Sequence, residues 1–148
     1  MKVTAKAFLS VLVAISAGFG AVATQAETAS PALVWNFDRE QPGTLPSELS
    51  IGTFFDGRPA GDWQVLTTDR AKSHPHVLAQ LMAKGAEHAY KVTLIKDVIA
   101  SDLTLEVSFL PIQGQADMGG GLIWRAADDR NYYLARANPL EQNIRVYR

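Results

Sequence analysis

The chain has 148 residues, 47% of them apolar and 20% charged, with 14 basic residues against 15 acidic and no cysteine. That length suits a single packed domain and the composition excludes an extended disordered chain. The interspersed charge offers no basic stripe for nucleic acid or an anionic membrane, and the lack of cysteine excludes thiol catalysis, zinc–thiolate binding and disulfide stapling.

The N-terminal stretch MKVTAKAFLSVLVAISAGFGAVATQA reads as an export signal. Lys2 and Lys6 form a positive start, an apolar run extends from Ala7 to about Ala23, and small residues at Thr24 and Ala26, or alternatively Ala21 and Ala23, suit cleavage. The run is marginal in length for a membrane span, and Ser10, Ser16, Gly18 and Gly20 dilute its hydrophobicity. The expectation is a signal peptide over 1–26, a mature domain over 27–148, and a periplasmic or secreted location. Removing Lys2 and Lys6 leaves 12 of the 14 basic residues against 15 acidic ones, so the mature charge is −3.

From Leu33 onward the hydrophobic period is two, the period of half-buried strands. LVWNF (33–37) alternates, and the Pro/Gly/Ser-rich stretch after it reads as a loop. IGTFF (51–55) predicts a short strand, DGRPAGD (56–62) a turn, and WQVL (63–66) a strand with Trp63 and Val65 on one face. HVLAQLMAK (76–84) has the propensities of a helix but is short for one, and stays ambiguous. YKVTLI (90–95) alternates again. The clearest strand is DLTLEVSFL (102–110), where Leu103, Leu105, Val107 and Phe109 face away from Thr104, Glu106 and Ser108. GLIWRA, the turn AADDRN and YYLARAN form a hairpin, with Tyr132, Leu134, Arg136 and Asn138 on one side and Tyr133, Ala135 and Ala137 on the other. NPLEQ (138–142) turns the chain into NIRVYR (143–148), where Ile144 and Val146 align. Eight or nine short strands at even spacing predict an all-β, antiparallel β-sandwich or jelly roll. The alternation is still running at Arg148, so the sandwich is expected to be incomplete at the C-terminus.

The residues WNFD with PGTLP, GDWQVL, PHVLAQ, GGLIWR and DDRNYYLARANPLEQNIRVYR carry a resemblance that spans Trp35 to Arg148. They are similar to the concanavalin A-like, laminin-G-type jelly-roll domains of the bacterial 3-keto-disaccharide hydrolase (family-16-like) group. The resemblance implies that HVLAQL is a strand, that further strands belong beyond residue 148, and that the role is carbohydrate-associated. That role is glycan binding or part of a glycoside-processing hydrolase. An interaction module without a sugar site, or a truncated fragment without function, are the alternatives.

Direct signs of chemistry are sparse. Glu106 has no second acid two residues away, so the paired-carboxylate pattern of retaining glycosidases is missing there, and no catalytic residue can be assigned. No G-x-S-x-G elbow occurs, and the glycines at 119–121 precede a strand rather than a helix, suiting a bulge or close strand approach instead of a phosphate cradle. His74, His76 and His88 could be metal ligands, but their Pro- and Lys-containing loop setting favours solvent-exposed histidines, and no metal is expected there. No cofactor is assigned; Asp128, Asp129 and Asn131 offer oxygens for calcium and serve equally as turn formers. Arg125, Tyr133, Arg136 and Asn138 are the candidate ligand-binding residues, because sugars are held by aromatic faces and planar hydrogen-bonding groups. The competing reading lays the arginine stems along the sheet and pairs them with acids on neighbouring strands.

Overall fold

A computed structural model describes residues 10–12, 32–83, 89–101, 103–114 and 117–148. Among them are nine strands and no helix. In chain order they are β1 Ser10–Leu12, β2 Ala32–Val34, β3 Leu49–Ile51, β4 Trp63–Thr67, β5 His76–Gln80, β6 Thr93–Ile95, β7 Gly120–Trp124, β8 Tyr133–Asn138 and β9 Asn143–Tyr147. Every pairing is antiparallel: β1 with β2, β3 with β6, β4 with β5, and β7, β8 and β9 in one three-stranded sheet. The all-β reading therefore holds, in small sheets of two and three strands. Part of the predicted leader is among the described residues, with Ser10 opposite Val34 and Leu12 opposite Ala32.

Local chemistry explains where the strands stop. LVWNF extends only to Val34, because Phe37 takes a positive φ of 62° and Asp38 donates its backbone N–H to Asn36 Oδ1. Asp56-Gly57 makes the predicted turn, with Gly57 at φ 82° and Phe54 N–H bonded to the Arg58 carbonyl. HVLAQ is a strand, resolving the helix ambiguity. Its full five-residue register with β4 buries Val77, Leu78 and Ala79, and that burial outweighs intrinsic propensity.

The strand read over 102–110 is a correction. Apart from a single bridge at Thr104, residues 103–114 form no ladder, and Asp102 lies outside the described residues. The alternation survives in exposure, since Thr104 and Glu106 are exposed while Leu105 and Val107 are half-buried. A strand needs a neighbour whose backbone it can bond, and the period-two pattern alone does not supply one.

The core is divided into two clusters. Phe37, Leu49, Val65 and Leu78 form the first, with Trp35, Leu45, Trp63 and Ile95 against it. Phe54, Ala60 and Val92 form the second, joined by Met82, Ala89, Tyr90, Ile123 and Tyr132. The second cluster ties the hairpin sheet to the rest of the chain. Val92 anchors it by exchanging backbone hydrogen bonds with Gly52 and Ala60.

Candidate functional site

Strand β8 alternates half-buried and buried residues along its length, and the buried set is Leu134, Arg136 and Asn138. The predicted polar residues therefore point to the dry side of the sheet. Directly opposed residues share a face, so Gly121, Ile123, Asn143, Arg145 and Tyr147 lie on that same side. Tyr133 lies on the other, about 16 Å along the strand from Asn138. Arg125 is exposed, and leaves the end of β7 beyond the Trp124–Tyr133 pair at a φ of 50°.

Arg136 and Asn138 converge on one carboxylate that the sequence did not single out. Arg136 Nη1 donates to Asp117 Oδ2 at 2.9 Å and Asn138 Nδ2 to Asp117 Oδ1 at 3.0 Å. The Gly119 N–H donates to that same Oδ1 at 2.6 Å. The other guanidinium arm, Nη2, donates to Glu141 Oε2 at 2.7 Å, and Asn143 Nδ2 reaches the same oxygen at 3.1 Å. Tyr147 lies under the guanidinium, 5.9 Å from its ring centroid, and Tyr90 tilts against Tyr147 at 5.6 Å. Burial lowers the Arg136 pKa, but Asp117, Tyr147 and Glu141 outweigh it and raise it above the ordinary value. Burial, then the hydrogen bond with Tyr147, pushes the Tyr90 hydroxyl up to about 12. Arg136 thus pairs both terminal nitrogens with carboxylates of the loops before β7 and β9, Asp117 and Glu141, while its buried Nε has no partner among the described residues.

The glycine run makes this arrangement fit. A methyl group on Gly119 would come 2.8 Å from Arg136 Cδ, and one on Gly120 would come 2.6 Å from the Phe109 ring. On Gly121 it would run into the Ala135 carbonyl. Of the bulge and the close approach that the GGG motif allows, the structure shows close approach, with a different neighbour for each glycine.

On the other face, Tyr133 stacks on Trp124 with centroids 5.9 Å apart and planes 22° apart, and the Arg148 guanidinium lies 5.9 Å from the Tyr133 ring. Of the four candidate residues, Arg136 and Asn138 meet; Tyr133 is turned away from them.

The acidic hairpin tip is a clamp. Asp129 Oδ2 accepts from Thr53 N–H at 2.5 Å and Thr53 Oγ1 at 2.7 Å, and the Thr53 hydroxyl bond is the largest cause of its lowered pKa. Asp128 accepts from the backbone of Arg130 and from the backbone and amide of Asn131, with the Arg130 bond contributing most to its lowered pKa. The oxygens considered for calcium thus fold the turn and fasten it to the loop after β3. His76 Nδ1 lies 3.2 Å from the Phe37 carbonyl, His74 is exposed, and His88 falls outside the described residues. Among the described residues no three His, Asp or Glu side chains are placed to hold a metal.

A second place combines an aromatic with planar polar groups. Val34, Trp35, Asn36, Phe37, Arg39, Glu40 and Glu48 line an open cleft of about 290 Å³ where β2 turns toward β3. The turn at Phe37, closed by the Glu40 N–H to Phe37 carbonyl bond, places Arg39 and Glu40 beside Trp35. Glu48 enters from the residue before β3, its carbonyl held by the Lys96 N–H. Sequence reading passed over this set because Trp35 and Asn36 belong to the alternating stretch 33–37 while Arg39, Glu40 and Glu48 fall in the aperiodic loop after it; the dense mixture WNFDRE was the available signal. No family model matches the chain, and neither does any curated protein or solved structure.

Proposed function

We propose that the chain is an exported, carbohydrate-associated β-domain that binds glycan in the cleft formed by Trp35, Asn36, Arg39, Glu40 and Glu48. The observation that carries this reading is the makeup of the cleft. A saccharide presents apolar C–H faces and a ring of hydroxyls, and the residues lining the cleft include an aromatic, an amide, an arginine and two acids, the types that such a ligand pairs with. Glycoside hydrolysis uses a pair of carboxylates, and Glu40 and Glu48 are the two acids that line the cleft. The concanavalin-like sandwich is the architecture proposed around it, and the basic-then-apolar N-terminus supports export with cleavage after Ala26.

The test is a glycan array probed with the chain purified from the periplasm of an exporting host, where its mass should begin at Glu27. One class of saccharide is expected to bind. Arg39→Ala and Glu48→Gln each remove a charged hydrogen-bonding group worth about 1.5–3 kcal/mol and should weaken binding at least tenfold. Trp35 also packs on the first core cluster, so thermal midpoints are compared before Trp35→Ala is interpreted. An array without a hit, or unchanged affinity in both polar variants, rejects the reading.

A further inference from the structure

The outer edge of β9 and the unladdered segment 103–108 are complementary, and from this we infer that two copies of the chain associate by adding that segment of one to β9 of the other. Among the described residues β9 pairs only with β8, so its outer row of backbone N–H and C=O groups has no strand beside it. Its aliphatic side chains are open too: Ile144 is 77% exposed and Val146 is 68% exposed. Both lie on the face opposite Arg136, while Arg145 lies on the Arg136 face with its side chain 56% exposed.

The segment 103–108 has the strongest strand pattern in the chain, yet among the described residues it forms no ladder beyond a single bridge at Thr104, with Ser108 accepting a side-chain hydrogen bond from Lys72. Set antiparallel to β9 with Glu106 opposite Arg145, it places Leu105 opposite Val146 and Val107 opposite Ile144. The same register sets Thr104 opposite Tyr147 and Ser108 opposite Asn143. One face of the added strand is then aliphatic and the other hydrogen-bonding, and the single charge on each strand meets its opposite. Neither charge is tightly held elsewhere among the described residues. Glu106 is exposed, and the Arg145 contact to Glu141 is 3.8 Å long and solvent-facing. The outer edge of β7 fits less well, since the residues on its Arg136 face are Gly121 and Ile123, which offer Glu106 no charge. A second copy suits the pattern because one exchange generates its mirror, closing a two-fold pair in which each chain donates one segment and receives another. This inference is independent of the glycan reading.

The test uses the full chain, expressed with its own leader and purified from the exporting host, and measures mass in solution across a concentration series. The wild type is expected at twice the monomer mass. Glu106→Arg and Arg145→Glu, both at exposed positions, should each weaken association by about tenfold or more through like-charge juxtaposition. An equimolar mixture of these two variants should recover the dimer, because each mutated charge then faces its opposite across both exchanged strands. A monomeric wild type overturns the inference, as does a dimer indifferent to both reversals. So does restoration of thermal stability in a monomeric E106R/R145E double variant, which would place the segment on its own sheet. Glu106→Gln and Arg145→Gln repeat the comparison, with smaller losses, should a reversal fail to fold.

Discussion

A guanidinium buried within a sheet face is costly unless its donors are met, and Arg136 meets two acids through separate nitrogens. Its side chain is 11% exposed, whereas those of Asp117 and Glu141 are 49% and 40% exposed. The cost of breaking the network therefore depends on which partner is removed. Asp117→Ala leaves Arg136 Nη1 and the Asn138 amide without their acceptor while Glu141 still holds Nη2, and should cost about 2–3 kcal/mol in urea denaturation. The exposed pair of Arg58 with Asp56 has a contact as short as that of Arg136 with Glu141, 2.7 Å. Water solvates both of those partners, so Arg58→Ala should leave the urea midpoint unchanged. Equal losses in the two variants would show that burial does not govern the Arg136 network. These roles were half legible beforehand. The alternation placed Arg136 and Asn138 on one side of β8, but nothing in a local pattern pointed to Asp117, which approaches from the loop before β7.

At the scale of elements, the hairpin β7–β8 depends on backbone proximity more than on side-chain packing along its first residues. Gly121 pairs with Arg136, and a methyl group at Gly121 would collide with the Ala135 carbonyl, a backbone atom that cannot swing aside as a side chain does. Gly121→Ala should therefore cost about 2–3 kcal/mol, on the scale of overpacking a filled site. Faster amide exchange should spread across β7 and β8 and leave β4 and β5 protected. Loss of protection in all sheets together would show instead that the hairpin unfolds only with the whole chain. The segment 103–110 gives the opposite lesson. It has the pattern of a strand but, among the described residues, no ladder beyond one bridge at Thr104, whereas HVLAQ has the propensity of a helix and is a strand because Trp63–Thr67 lies beside it in register.

For the whole molecule, the sheets are joined by a few polar clamps as well as by the two apolar clusters, and the clamps titrate. Asp129, fastened to Thr53, and Asp128, closing the hairpin tip, both have pKa values lowered from 3.8. Glu141, held first by Asn143 and then by Arg136, has one lowered from 4.5. A carboxylate whose folded pKa lies below its unfolded value contributes stability that is complete above the unfolded pKa and is lost as pH falls through the folded one. The thermal midpoint should thus change little from pH 7 to 5 and fall below about pH 4. Asp129→Asn removes one titration from this set and should make the acid decline shallower. An unaltered acid limb in that variant would exclude the Thr53 clamp as a contributor.

The sequence by itself determined the period-two architecture, the turns at Asp56-Gly57 and 139–142, the glycine run as a place of a bulge or close approach, and the sidedness of β8. All of these follow from interactions between residues near one another in the chain, or from the alternation any half-buried strand must show. Tertiary structure alone decided which strands pair, that 103–110 goes without a ladder, that Asp117 and Thr53 receive the hairpin's polar groups, and that Trp35, Arg39 and Glu48 share a cleft. Those outcomes rest on contacts between segments distant in the chain, where the backbone of one supplies the hydrogen bonds, charge or apolar cover that the other lacks, and no local pattern encodes that partner.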